Sequence, residues 1–169
     1  MLTTWANRWG IPPAAVTELR ALMGVVPGVT VGTGAAGSEA SVQAARRIYL
    51  AKQGIVAWRN NVGAYQDDYK NFIRYGLAND SSATNRVFKS SDLIGIRPTQ
   101  CPCGRLYGVF TAEETKHEGW VYSGDKPCYC KPHKSICKPC HERAQFAFIQ
   151  FVIAKGGVGR FVTRGDETI

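Results

Sequence analysis

"SSDLIGI" (residues 90–96) is written like a buried β-strand, yet it opens on Asp92, where a strand of that kind favours a valine. The next run of the same type is "GVFTAEETK" (108–116), and a turn containing "CPCG" separates the two. Residues 92–97 and 106–116 therefore read as an antiparallel hairpin. Side chains alternate along a strand, so Phe110, Ala112, Glu114 and Lys116 share one face while Val109, Thr111, Glu113 and Thr115 share the other. A register that sets Asp92 beside residues 114–116 makes two carboxylates converge. Such a pair suits a hard cation, since Mg2+ takes one or two carboxylates together with waters and substrate phosphate oxygens. Lys116 beside it would position or deprotonate a water and offset charge on a phosphate. An ordinary salt-bridged strand edge would carry the same three residues.

Working outward, Ser38 caps a helix running to about Gln53, with Val42, Ala45 and Tyr49 facing inward and Arg46, Arg47 and Lys52 facing outward. "IVAWRN" (55–60) is a strand. Residues 61–89 read as a long polar loop that interleaves Tyr65, Tyr69, Phe72 and Tyr75 with Lys70, Arg74, Arg86 and Lys89. That mixture suits contact with bases and phosphates, and equally a loop packing its own aromatics. Past a cysteine-rich insertion (117–141), "ERAQFAFIQFVIAKGG" (142–157) is a helix with Phe146, Ile149 and Ile153 on one side, and "GRFVTR" (159–164) is a last strand. Residues 3–23 form two helical pieces, broken at Gly10 and restarted at Pro12 and Pro13, with an apolar stripe of Val16, Leu19, Leu22 and Met23. The Gly-rich stretch 24–37 reads as a linker and lacks the ending of a phosphate-binding P-loop. The expected organisation is an N-terminal helical extension with linker (1–37), then an α/β core (38–169) in the order helix, three strands, helix, strand.

A chain of 169 residues is long enough to bury one real core. Its formal charge of +8, from 21 basic and 13 acidic residues, favours a polyanionic partner. No stretch approaches the roughly 20 apolar residues of a membrane span, and "MLTTWANRWGIPP" has polar breaks where a signal peptide would be apolar. A soluble, cytoplasmic protein with no membrane partner is expected. The six cysteines come in tight pairs: Cys101 with Cys103, Cys128 with Cys130, and Cys137 with Cys140, with His133 and His141 interleaved. Such spacing suits structural zinc better than three disulfides. One zinc in the insertion, with the Cys101/Cys103 turn recruited to a second site through a histidine, satisfies the ligand chemistry; which ligands share an ion stays open. A zinc deaminase would also need Cys and His, but "PCYC" is one residue short of its signature.

An Asp, a turn, then Glu-x-Lys on the next strand, within this order of elements, resembles the PD-(D/E)XK restriction-endonuclease-like fold. The closer similarity is to its VRR-NUC branch, the virus-type replication and repair nucleases. The residues that carry it are Glu39 in the first core helix, Trp58-Arg59-Asn60-Asn61 with Gly63, Ser91-Asp92-Leu93-Ile94-Gly95-Ile96, Glu114-Thr115-Lys116, Gln145, and Gly156-Gly157. The resemblance implies Asp92 and Glu114 as ligands of a catalytic Mg2+ or Mn2+, Lys116 at the attacking water, Gln145 orienting the site, and Glu39 at or behind the metal. It implies a Mg2+-dependent DNA endonuclease, phage-encoded and acting in a bacterial host cytoplasm, that leaves 5′-phosphate and 3′-hydroxyl ends. It further implies a homodimer selective for branched DNA, in the manner of a Holliday junction resolvase. Glu113 stands where such nucleases carry an apolar residue, and strand alternation points it away from Lys116. The competing expectation is a non-catalytic, zinc-stabilised nucleic-acid-binding protein, which metal-dependent cleavage would distinguish.

Overall fold

The computed structural model describes residues 2–16, 36–131 and 136–164, so Leu19, Leu22, Met23 and His133 lie outside the described residues, as does most of the 24–37 linker. The chain divides into two compact units, 1–33 and 34–169. In the first, helix α1 (Leu2–Arg8) ends before Gly10, whose φ of 62° lets the chain turn, and residues 13–16 are again helical. None of the described helices is long and apolar enough to cross a membrane.

The second unit is a mixed α/β fold. Its elements are α2 (Glu39–Lys52), β1 (Val56–Arg59), β2 (Gly63–Gln66), β3 (Phe72–Tyr75), α3 (Ser82–Val87), β4 (Leu93–Gln100), β5 (Leu106–Thr115), α4 (Lys138–Ala154) and β6 (Val158–Val162). Four strands form one sheet in the order β1-β4-β5-β6. The β1–β4 and β4–β5 pairs are antiparallel, and β6 runs parallel to β5, as the intervening α4 crossover permits. Ser38 starts α2 by accepting the Ser41 N–H on its hydroxyl. Gly95 is required where β4 passes β1, because a Cβ there would lie 2.3 Å from the Val56 carbonyl oxygen.

Each face of the sheet carries a small apolar nucleus. Leu93 packs with Leu50 of α2 and Ile55, while Ala112 packs with Phe148 and Val152 of α4. Polar residues decide the rest. Arg46, expected outward, is wholly buried on the same helical face as Val42 and Leu50. Its Nε and Nη2 donate to Glu113 at 2.6 and 2.9 Å, and Arg160 of β6 reaches the same carboxylate at 3.0 Å. The helix is turned so that a guanidinium meets a carboxylate across the layer, which hydrophobic periodicity does not register. In α4 the inward residues include Glu142, Gln145, Phe148, Ile149 and Val152, whereas the expected Phe146 and Ile153 are exposed. Again two polar side chains lie on the inward stripe, because Glu114 and Lys116 at the end of β5 partner Gln145 while Trp120 and Ser123 partner Glu142.

Residues 61–89 are not a loop. They form the antiparallel β2–β3 hairpin and the short α3. The hairpin turn is built by Asp67, whose Oδ1 accepts the N–H groups of Tyr69 and Asn71, and it places Lys70 at φ 65°. A lysine in that left-handed position gives no glycine signal for a turn. Buried Asn79 ties the unit together by donating to the carbonyls of Gly63 and Tyr75 and accepting from Arg74 and Asn85.

Candidate functional site

The site is assembled where β4 begins and β5 ends. Asn60, just past β1, sets the entry to β4: its side-chain amide donates to Ser90 Oγ at 2.8 Å and to the Ser91 carbonyl at 3.0 Å, and its backbone N–H donates to the Asp92 carbonyl. Asp92 is then fixed against β5. Its Oδ2 accepts the Thr115 N–H and hydroxyl at 3.1 and 2.7 Å, and its own N–H donates to Glu114 Oε2 at 3.1 Å. Pairing of Leu93 with Glu113 and Ile94 with Ala112 produces this closeness. Glu113 faces the opposite side, towards Arg46 and Arg160.

Glu114 is nearly inaccessible and lies at the centre of a polar cluster. Lys116 Nζ donates to Glu114 Oε1 at 2.8 Å and to Gln145 Oε1 at 3.1 Å, while Gln145 Nε2 donates to Glu114 Oε1. Burial, and then the Asp92 charge, push the Glu114 carboxyl up to about 7 against the pull of Lys116. Glu39, exposed in the first turn of α2, completes the group: Glu39, Asp92 and Glu114 each bring a carboxylate oxygen within 4.8 Å of the others. That set is able to take a metal ion, and its hard oxygen donors suit Mg2+ or Mn2+.

The beginning of the insertion walls this cluster. Trp120 stacks on Phe161 at 4.7 Å between ring centroids, and Lys116 Nζ lies 6.0 Å from both rings. Glu142 of α4 anchors the segment by accepting the Trp120 indole N–H at 3.0 Å and the Ser123 N–H and hydroxyl at 2.6 and 2.8 Å. Burial acts to raise the Glu142 carboxyl, but those hydrogen bonds outweigh it and hold the group below its ordinary value.

Four of the six cysteines form the second group. Cys128, Cys130, Cys137 and Cys140 bring their sulfurs within 4.8 Å of one another, a set that can hold a metal such as zinc. Donors point at the sulfurs: the Cys137 N–H at Cys130, the Cys130 N–H at Cys128, and the Arg143 guanidinium at Cys140 at 2.8 Å. Cys137 caps α4 and Cys140 lies in its first turn, so the cluster holds the helix that carries Gln145. Cys101 and Cys103 do not join it. They are disulfide-bonded to each other at the β4–β5 turn, which corrects their assignment as zinc ligands. The turn leaves their sulfurs close together and remote in sequence from the other four, so mutual pairing is their available chemistry.

No family model, curated protein or solved structure matches the chain.

Two residues of the site have a place that sequence pattern does not indicate. His141, a zinc candidate by spacing, turns away from the cysteines, and its Nε2 lies 3.2 Å from Lys89 Nζ. Burial, with the charges of Lys89 and Lys116, pushes His141 down to about 4, so the ring is neutral. Burial also holds Lys89 below its ordinary value, against the carboxylates of Glu114 and Asp92. In the sequence Lys89 is one cation among several in a polar stretch. The one available signal was its position three residues before Asp92.

The cysteine geometry predicts one zinc per chain rather than two. Elemental analysis of protein purified under mild reduction should find one equivalent, and Cys137→Ser should reduce it to near zero, because a three-sulfur set with an alcohol is a poor zinc site. A second equivalent that disappears in Cys101→Ser would restore that pair as ligands.

Proposed function

We propose that this chain is a Mg2+- or Mn2+-dependent nuclease that hydrolyses DNA phosphodiester bonds, with a PD-(D/E)XK core of the VRR-NUC type and a structural zinc. The observation that carries the reading is the oxygen set of Glu39, Asp92 and Glu114 beside Lys116 and Gln145. A structural ion pair would neutralise Glu114 with one lysine and stop there. Here three carboxylates converge, and burial holds one of them up at about 7, a penalty that a divalent cation relieves. The sheet order β1-β4-β5-β6 with a parallel last strand, flanked by α2 and α4, supports the same reading.

A bound divalent cation would supply Lewis-acid charge to a phosphate oxygen and lower the pKa of a water. The chain's own residues do the rest. Asp92 and Glu114 are held rigidly by Thr115, Lys116 and Gln145, so the donor oxygens are arranged before substrate arrives. Lys116 keeps a positive charge beside the reacting phosphate, and Gln145 fixes the orientation of that ammonium. Trp120 and Phe161 limit water around it. The net charge of +8 suits a DNA substrate, and a two-fold pair of chains would match the symmetry of a four-way junction.

The test incubates the zinc-loaded full chain with linear duplex, single-stranded and four-way-junction DNA, with Mg2+, with Mn2+ and with neither. Cleavage that depends on the added cation is expected, strongest on the junction, together with a dimer in light scattering. Binding without cleavage under both cations would leave a non-catalytic nucleic-acid-binding protein. Equal cutting of all substrates by a monomer would leave a general nuclease.

A further inference from the structure

One cation beside the carboxylates has no part in the chemistry above. Lys89, half-buried between α3 and β4, is fixed at both ends: its backbone N–H donates to the Ala144 carbonyl of α4 at 3.0 Å, and its Nζ lies 3.2 Å from His141 Nε2 one turn earlier on that helix. An ammonium has donors and no acceptor, so His141 Nε2 is the accepting atom of this contact. The ammonium lies within electrostatic range of Glu114, Asp92 and Glu39. Yet among the described residues its hydrogen-bond partner is this imidazole and not a carboxylate. A partly buried lysine ordinarily takes a carboxylate as its partner. Lys116 does so, spending two donors on Glu114 and Gln145, whereas Lys89 spends one on an imidazole and keeps two.

We propose that Lys89 is a substrate-contacting residue whose ammonium binds a non-bridging oxygen of the DNA phosphate at the Asp92–Glu114 site, with His141 as the positioning residue that aims it. This rests on the nuclease reading of that site. An imidazole carries no negative charge, so this partner holds the lysine in place without cancelling its charge, which leaves the charge for an incoming anion. Since His141 directly follows Cys140, the metal-binding end of α4 also sets the lysine's position.

The experiment uses the zinc-loaded full chain and a fluorescein-labelled DNA duplex, with Lys89→Ala, Lys89→Arg and His141→Ala as variants. Binding is followed by anisotropy over a salt series with no divalent cation added, then cleavage with Mg2+, and Mn2+ binding is measured without DNA. Lys89→Ala should flatten the dependence of log affinity on log salt by about one unit of slope. Its kcat/KM should fall on the order of tenfold to a hundredfold, with Mn2+ affinity and melting temperature unchanged. Lys89→Arg should restore the slope, and His141→Ala should keep it while lowering kcat. An unchanged slope in Lys89→Ala, or a matching loss of Mn2+ affinity, would overturn the proposal. If the unaltered chain cuts nothing while the slope still falls in Lys89→Ala, the nuclease reading fails and the phosphate contact stands.

Discussion

Asp92→Ala, Glu114→Ala and Lys116→Ala are each expected to lower cation-dependent DNA cleavage by about a thousandfold or more, with DNA affinity nearly unchanged. The size follows from what is removed. Charge stabilisation in a water-poor site is worth several kcal/mol, and about 1.4 kcal/mol is tenfold in rate. No neighbour substitutes: Glu39 is exposed on a different element, and Glu113 is committed to Arg46 and Arg160 on the other face of β5. Gln145→Ala should cost less, on the order of tenfold to a hundredfold, because it frees Lys116 without deleting its charge. The fold should survive these changes. Glu114 contributes a carboxyl whose ionised form burial already disfavours, so Glu114→Gln should melt close to the unaltered protein. Single-turnover cleavage together with thermal melting checks the set. Full activity in Glu114→Ala would remove the carboxylate site from the chemistry altogether.

Glu113→Ala is the change expected to damage the fold most. Its carboxylate joins three elements, accepting from Arg46 of α2 and Arg160 of β6 while itself standing on β5. Removing it deprives the Arg46 guanidinium, which has no solvent exposure, of the carboxylate that it bonds twice. Breaking a buried pair by deleting one partner costs about 3–5 kcal/mol, a large part of a domain's whole stability. Arg160 is partly exposed and can turn to water, so Arg160→Ala should cost much less, about 1 kcal/mol. Replacing both buried partners with apolar residues, as in Arg46→Met with Glu113→Leu, should recover most of the loss, because no stranded charge remains. Urea unfolding of the three variants beside the unaltered protein checks the order. A Glu113→Ala protein as stable as the unaltered one would show that the pair is not what joins α2 to the sheet. Any loss of cleavage in Glu113→Ala should track unfolding and vanish at low temperature, unlike the loss in Glu114→Ala.

Much of this architecture is legible in local pattern. The apolar run after Asp92 and the alternation through Glu113, Glu114, Thr115 and Lys116 place the hairpin and assign its faces, because a strand's period of two fixes which side chains are neighbours. The spacing of Cys128, Cys130, Cys137 and Cys140 already marks a ligand group, since residues so close in sequence have few other ways to pack. Pattern misleads where a polar residue's partner is distant. Arg46 looks like a surface residue until Glu113, 67 positions later, arrives opposite it. His141 looks like a zinc ligand until Lys89, 52 positions earlier, takes its Nε2. Cys101 and Cys103 look like part of the metal chemistry, but at the tip of the β4–β5 hairpin they bond to each other. By itself the sequence determined the core order of α2, β1, β4, β5, α4 and β6, the faces of the hairpin and the clustering of cysteines in the insertion, all of them encoded by periodicity and spacing over a few residues. Only the tertiary structure decided which buried charges meet, because a polar group is admitted to the interior by the partner that packing brings to it, and that partner leaves no mark on the local pattern.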